Sequence, residues 1–156
     1  MKTVIRKSVF ETNSSSMHSI VIKTLKRQPS TLELTKRGIL KVSLGEFGKE
    51  EAEYDDQYTK LSYLVTLCFA KYQSCGFSRD DFKYTWERVR DDDYWWEYGL
   101  ERPLKDYIPG MKELQPIYSE WEVDHNSLIS PEEFLNGMNP LDFIFDPNIM
   151  LRTECD

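Results

Sequence analysis

DQYTKLSYLVTLCFAKYQS (residues 56–74) is the stretch that decides the fold. Its apolar side chains recur at i, i+3, i+4 and i+7, which is the spacing of one face of an α-helix. The stretch therefore predicts a principal helix over about 56–74. We expect this helix to bury Leu61, Val65, Cys68 and Phe69 against the rest of the chain.

Strand patterns lie on both sides of this helix. Runs rich in β-branched and aromatic residues, or alternating apolar with polar residues, predict strands at 3–10, 19–25, 39–44, 117–123 and 141–145. The first three suggest an antiparallel meander. Strands, then helices, then strands again indicate an α+β fold with a mainly antiparallel sheet, in a single domain over residues 1–156.

A shorter helix is predicted directly after the principal one. Ser78 and the acid three positions later form a capping box, which places Phe82, Trp86 and Val89 on one helix face. The acidic run 91–93 predicts its end, because carboxylates at a helix C-terminus oppose the helix dipole.

The last third of the chain carries another helix signal. Ser130 followed by Pro131 is a strong helix start, and we expect this short helix to end near Gly137. The prolines and glycine within residues 103–116 predict an irregular stretch before it.

Composition limits the class of protein. An apolar fraction of 40% in 156 residues is enough for a hydrophobic core. No apolar run approaches the roughly 18 residues of a membrane span, and the N-terminus lacks a secretory signal. The three cysteines have no zinc-site spacing. We therefore expect a cytoplasmic protein without a membrane segment, metal or cofactor.

Charge is distributed unevenly along the chain. Residues 1–45 hold nine basic and two acidic residues, for a net charge of +7, whereas residues 46–156 carry −14. One interpretation is that the basic part packs against the acidic part or that both are solvated. The other is an acidic surface that mimics nucleic acid and fills a basic groove on another protein. Direct nucleic-acid binding is not expected, because phosphate contacts need a positive surface.

ETNSSSMHS (residues 11–19) is the first polar cluster, placed between two predicted strands. Such a loop could present hydroxyl and N–H groups to a ligand, or could simply be a turn that bonds its own backbone. The candidate ligand-binding residues are Thr12, Asn13, Ser14, Ser15 and Ser16.

The two histidines of the chain each sit in a polar cluster of this kind. His18 lies in the first, and His125 follows Asp124 in DHNS (residues 124–127). If both clusters lie at one sheet edge, the histidines could share a site. The candidate catalytic residues are then His18, His125, Ser16 and Asp124, against the alternative of ordinary turns.

DDDYWWEY (residues 91–98) joins acidic and aromatic residues in one block. Aromatic side chains are enriched at binding hot spots, and carboxylates can replace phosphates in a basic groove. The alternative is a set of core aromatics beside a solvated acidic turn. The candidate partner-binding residues are Asp91, Asp92, Asp93, Trp95, Trp96 and Glu97.

VFETNSSSMHSI (residues 9–20) resembles the N-terminal signature of a group of uncharacterised small proteins in bacteriophages and prophages of Gram-positive bacteria. GEFG (residues 45–48) is similar to a second element of that group. The resemblance implies a phage setting and no particular reaction.

Two further elements extend the resemblance toward the C-terminus. DHNS (residues 124–127) is similar to a third element, in which Gln is usual in place of Asn126. FIFDPN (residues 143–148) resembles a fourth, in which Asn is usual in place of Asp146. The four elements occur in order along nearly the whole chain.

Two classes of function follow from these observations. The first is an acidic phage protein that inhibits or redirects a host protein with a basic nucleic-acid-binding groove, such as a CRISPR nuclease or another defence enzyme. The alternative is a small nucleotide-binding protein or enzyme that uses the turns around His18 and His125. A purely structural phage accessory protein is a third class, and whether the chain is an enzyme stays open at this point.

Overall fold

The structure is a computed structural model that describes residues 4–7, 16–22, 26–72, 79–123 and 129–155. Its helices are α1 (Gln57–Ala70), α2 (Arg79–Asp92), a π-helix (Trp95–Glu101), α3 (Arg102–Tyr107), α4 (Pro131–Leu135) and α5 (Pro140–Phe145). Its strands are β1 (Val4–Lys7), β2 (Ser16–Ile22), β3 (Ile39–Ser43), β4 (Glu46–Phe47), β5 (Ala52–Tyr54), β6 (Glu113–Ile117), β7 (Glu122–Val123) and β8 (Ile149–Cys155). The predicted α+β class is confirmed.

The main sheet has four antiparallel strands in the order β1-β2-β8-β5. Strand β2 is central and pairs with β8 along its whole length, from Ser16 opposite Cys155 to Ile22 opposite Ile149. Strand β8 comes from the end of the chain and also pairs with β5. The sheet therefore joins the two ends of the sequence.

The predicted meander is wrong for the third strand. Strand β3 does not join the main sheet but pairs in parallel with β6, and β4 pairs in parallel with β7. A parallel pair requires a long crossover connection, and here α1, α2, the π-helix and α3 lie between β3 and β6.

Helix α1 is enclosed on all sides from Lys60 to Ala70. Every residue from 60 to 70 is buried, including Leu61, Val65, Cys68 and Phe69, which confirms the predicted core positions. A helix that is buried all round forms the centre of a fold rather than one of its faces. The helix begins after Asp56, whose side chain accepts a hydrogen bond from the Thr59 N–H, and ends at Ala70, a few residues before the predicted end.

The polar side chains on α1 reach different neighbouring elements. The Ser62 hydroxyl donates to the Ser43 carbonyl of β3 at 2.7 Å. The Thr66 hydroxyl accepts the Gly45 N–H at 3.1 Å. The ring of Tyr63 reaches His18 of β2. These bonds fix how the surrounding strands are placed around the helix, because a buried polar group left without a partner is costly.

Lys60 lies on the same helix and is fully buried. Its Nζ donates to the carbonyls of Asp146 and Ile149, both at 2.8 Å, and lies 5.8 Å from the ring centre of Phe143. Burial lowers the pKa of Lys60 to about 8, although Asp146, Asp55 and Asp56 act to raise it. The ammonium group thereby holds the turn that connects α5 to β8.

The stretch 141–145, predicted as a strand, is the helix α5. Asn139 caps it by accepting the Leu141 N–H at 2.8 Å, and Pro140 occupies its first position. This start signal outweighs the aromatic and β-branched residues of LDFIF, because proline fixes a backbone angle suited to the first turn of a helix.

Two other predictions about the second half need correction. The strand predicted at 117–123 is two short strands: β6 ends at Ile117 and β7 covers only Glu122 and Val123. The stretch 103–116, predicted as irregular, contains most of α3 and β6. Pro103 does not break α3, because it lies in its first turn.

The predicted short helices are present. Helix α4 starts with Ser130 accepting the Glu133 N–H at 3.1 Å, and ends at Asn136 in the left-handed conformation with φ of 47°. Helix α2 ends at Asp92, within the predicted acidic run, and Val89 faces the core. Among the described residues, no helix combines the length and apolar character needed to cross a membrane.

The charge of Lys60 gives a testable pH dependence. Between pH 8 and 10.5 the folded protein holds Lys60 neutral while the unfolded chain still protonates it, so Lys60 makes the free energy of unfolding rise with pH in this window. Between these pH values, we expect the free energy of unfolding of wild type to rise by up to about 3 kcal/mol relative to that of Lys60→Met. Urea unfolding of both proteins at several pH values measures this difference.

The comparison with Lys60→Met isolates this single group. Burial raises the pKa values of Tyr63 and Cys68 well above their usual ranges, but both residues are present in both proteins. Below about pH 7.5 the difference should be constant, because Lys60 is charged in both states. If the free energies of unfolding of wild type and Lys60→Met differed by a constant amount up to pH 10.5, the lowered pKa of Lys60 would be contradicted.

Candidate functional site

His18 belongs to the protein core. It lies within β2, not in the polar turn that the sequence predicted, and its side chain has no exposed surface. Its Nδ1 lies 2.5 Å from the Tyr63 hydroxyl oxygen, and the two rings meet edge to face at 5.5 Å. Phe47 and Phe134 pack edge to face against Tyr63 at 5.0 and 4.9 Å. His18 is therefore buried against an aromatic cluster through Tyr63 rather than presented to solvent.

The other candidates of the two polar clusters are mostly outside the described residues. These are Thr12, Asn13, Ser14, Ser15, Asp124 and His125. The backbone of Ser16 starts β2 and pairs with Cys155. Whether His18 and His125 share a side of the sheet stays a prediction, but a ligand could not touch the His18 ring without displacing core side chains.

Asp93 is also buried, which corrects its assignment as a partner-binding residue. Its carboxylate accepts Lys71 Nζ at 3.1 and 3.3 Å, and its Oδ1 accepts the backbone N–H of Trp95 at 3.0 Å and of Trp96 at 3.4 Å. Burial alone would lower the pKa of Lys71, but the hydrogen bond and charge of Asp93 raise it above its usual value. Asp93 thus connects the start of the π-helix to the end of α1 through these hydrogen bonds.

The two tryptophans of the block are also packed inward. Trp96 is 1% exposed and meets Trp86 of α2 edge to face at 5.1 Å. Trp95 is half-buried and its indole covers Gly99, where an added Cβ would lie only 2.5 Å from the indole nitrogen. Trp96 is therefore unavailable to a partner, and Trp95 offers only part of its surface.

The exposed aromatic groups of this region are tyrosines. Tyr84 is 73%, Tyr94 74% and Tyr98 43% exposed, and they are three of the four exposed large hydrophobic residues in the described part of the chain. The rings of Tyr94 and Tyr98 stack at 4.4 Å. The guanidinium of Arg102 lies 4.3 Å above the Tyr98 ring.

Exposed carboxylates accompany these tyrosines. Along α2, Asp80, Tyr84, Glu87 and Asp91 are exposed at i, i+4, i+7 and i+11, which places them in one row on the helix. The tyrosine–acid face is defined as Asp80, Tyr84, Glu87, Asp91, Asp92, Tyr94, Glu97 and Tyr98. The residues predicted from the sequence include Asp91, Asp92 and Glu97 of this face but not Asp80, Glu87 or the tyrosines, although the helical spacing of residues 80–91 could have identified the row.

Some acids of the tyrosine–acid face have cationic neighbours within the chain. Arg90 binds Asp91 at 2.9 Å, and this contact lowers the pKa of Asp91. Arg102 binds Glu97 at 3.2 Å. Exposed pairs of this kind contribute little to stability and remain open to exchange with a partner's charges.

Within the described residues, an ion pair ties the basic first third of the chain to the acidic remainder. Arg27 binds Asp142 of α5 at 2.5 Å, and its guanidinium lies 5.8 Å from the ring centre of Tyr107. The interpretation that the two parts pack together thus holds for this segment. It does not account for the tyrosine–acid face, whose Asp91 and Glu97 pair with the nearby Arg90 and Arg102.

Within the described residues, no group of three or more His, Cys, Asp or Glu side chains is arranged to hold a metal ion. No protein-family model matches the chain, and no curated protein or solved structure matches it significantly.

The burial of His18 predicts that it supports the fold. We expect His18→Ala to lower the free energy of unfolding by about 2–4 kcal/mol, because it opens a cavity and removes the partner of the Tyr63 hydroxyl. A double-mutant cycle with Tyr63→Phe, measured by urea unfolding, should show a coupling of about 1 kcal/mol. Unchanged stability of His18→Ala would instead favour a functional role.

The adjacent acids Asp93 and Asp92 form a matched pair of tests. Asp93→Ala should lower the free energy of unfolding by about 2–3 kcal/mol, because it leaves the Trp95 and Trp96 N–H groups without their acceptor and Lys71 with only the more distant Glu132. Asp92→Ala is the control and should change stability by less than about 0.5 kcal/mol, since its side chain is exposed. Equal effects of the two substitutions on thermal unfolding would contradict this distinction.

Proposed function

We propose that this chain is a binding protein that inhibits or redirects a host protein through its tyrosine–acid face. The partner has a basic, nucleic-acid-binding groove, and a phage-encoded inhibitor of a defence nuclease is the class that fits best. The single observation that carries the proposal is the concentration of exposed tyrosines among carboxylates on α2 and the π-helix.

Exposed tyrosines support a role in protein binding. A tyrosine ring contributes a large contact area with few rotatable bonds, and its hydroxyl can hydrogen-bond at a wet interface. Tyr84 and Tyr94 are each about three-quarters exposed, so their contact area is still available to a partner. Solvent-exposed aromatic side chains of this size are the type that forms binding hot spots.

The charge supports a basic partner. Residues 46–156 carry a net charge of −14, and Arg90 and Arg102 beside the tyrosine–acid face are already engaged by Asp91 and Glu97. A surface of this kind repels nucleic acid but is attracted to a groove that normally binds phosphates. The acids at the edge of such a contact would mainly speed association.

The alternative function, a nucleotide-binding protein or enzyme built around His18 and His125, gains no support from the geometry. The ring of His18 is buried against Tyr63 and cannot contact a ligand from solvent. A partner can bind the tyrosine–acid face without displacing core side chains, because its tyrosines are already exposed.

The test is a charge reversal on the tyrosine–acid face with a matched control. Asp91→Lys/Asp92→Lys reverses two exposed acids of the tyrosine–acid face, and Glu51→Lys/Glu120→Lys reverses two exposed acids elsewhere. Tagged wild type expressed in a Gram-positive host should capture a partner that double-stranded DNA displaces. With that purified partner, surface plasmon resonance at low salt should show association slowed about tenfold for the first variant only.

Salt and the tyrosines provide two further measurements. The effect of the charge reversal should shrink at high salt, because the Debye length falls from about 10 Å at 0.1 M to about 3 Å at 1 M. Tyr94→Ala/Tyr98→Ala should mainly speed dissociation. If both double variants bind like wild type, or if DNA fails to displace the partner, the proposed function is wrong.

A further inference from the structure

A cavity of about 350 Å³ lies where α2, the π-helix and the start of β6 meet. Trp86, which is half-buried, supplies the accessible aromatic wall, whereas Trp96 also lines the cavity but is only 1% exposed. Glu97, Glu101 and Glu113 contribute three carboxylates. Cavities of this size hold one side chain or one small molecule. The cavity shares Glu97 with the tyrosine–acid face, so a partner bound there could reach it.

The aromatic walls suit a cation. Trp86 and Trp96 stand edge to face, and Arg90 already places its guanidinium 5.9 Å from the ring centre of Trp86. A tryptophan face is the best aromatic partner for a cation. The neighbouring contact of Arg102 with Tyr98 and Glu97 combines the same two groups, an aromatic face and a carboxylate, around a guanidinium.

The charges of the lining leave room for one more positive charge. Two charged residues of the lining already have partners outside it: Arg90 is paired with Asp91, and Glu97 is paired with Arg102. One cation and one carboxylate of the lining are therefore neutralised. Glu101 and Glu113 then face a single cation, Lys112, for a net charge of −1. A monovalent cation would balance this charge.

Glu101 is held in place before any ligand arrives. Its Oε2 accepts the backbone N–H of Leu114 at 3.0 Å, which ties the end of the π-helix to β6. A carboxylate that is already oriented loses little freedom on binding. The bond thus presents Glu101 at the wall of the cavity.

We propose that this cavity receives an arginine side chain of the partner protein. Arginine is favoured over lysine because its planar guanidinium stacks on aromatic rings, pairs with carboxylates through two hydrogen bonds and is less strongly hydrated. The inference rests on the proposed function and specifies its partner: the basic groove should contain an arginine that normally contacts phosphate and can insert beside Trp86.

The test uses three short peptides with the intact protein. Acetyl-Gly-Arg-Gly-amide should shift the indole N–H signals of Trp86 and Trp96 saturably in a ¹H–¹⁵N NMR titration, with the indole signal of Trp121 as an internal reference. The citrulline peptide, a neutral isostere, should cause no saturable shift, and the lysine peptide should bind more weakly. The arginine peptide alone is enough for this experiment, so it does not depend on identifying the partner.

Substitutions at the rim assign the contact to the carboxylates. Glu113 is exposed, so Glu113→Gln should leave the fold intact and weaken arginine-peptide binding roughly two- to fivefold, the range of an exposed ion pair. Lys112→Met should strengthen it by a similar factor. Glu120→Gln, an exposed acid outside the cavity, is the matched control and should bind like wild type.

The outcomes separate this inference from the proposed function. Equal shifts with the arginine and citrulline peptides, equal binding of the lysine peptide, or unchanged binding by Glu113→Gln would overturn the arginine site. The proposed function would still stand if Asp91→Lys/Asp92→Lys slows capture of a DNA-displaceable partner. If the arginine peptide still binds while that charge reversal has no effect, the arginine site in the cavity would be supported and the tyrosine–acid face would be ruled out as the partner-binding surface.

Discussion

The complete enclosure of α1 is the constraint on which the rest of the structure depends. A helix buried on every side cannot leave its polar groups to water, so each must find a protein partner. Lys60 holds the turn before β8, Ser62 holds β3, and Tyr63 meets His18 of β2. These bonds connect elements from both ends of the chain to one helix, and the hydrophobic contacts pack around them.

The enclosure of α1 also constrains the structure of the segment that follows it. Lys71, directly after the helix, binds the buried carboxylate of Asp93, and that carboxylate also accepts the first N–H groups of the π-helix. π-helical segments are rare and occur frequently at functional sites. Here the segment turns Trp96 into the core and leaves Tyr94 and Tyr98 stacked at the surface. The buried carboxylate of Asp93 thus holds the start of the segment that presents these tyrosines.

The proposals concern two chemically different parts of this region. The tyrosine–acid face offers exposed contact area and negative charge, which suit recognition of a basic surface. The cavity beside it offers the half-buried ring of Trp86 and the oriented carboxylate of Glu101, which suit a single guanidinium. Exposed charges would guide the encounter, and a half-open aromatic site would add the specific contact.

The sequence by itself determined the elements whose signals are local. Helix α1, the capped start at Ser130 and the acidic end of α2 could all be predicted, because periodicity and capping act over a few neighbouring residues. Only the tertiary structure decided the pairing of β3 with β6, the central place of β8, and the burial of His18 and Asp93. Those features depend on contacts between residues far apart in the chain. A polar residue in a loop-like sequence therefore gives no sign that a distant tyrosine or lysine will bind it inside the core.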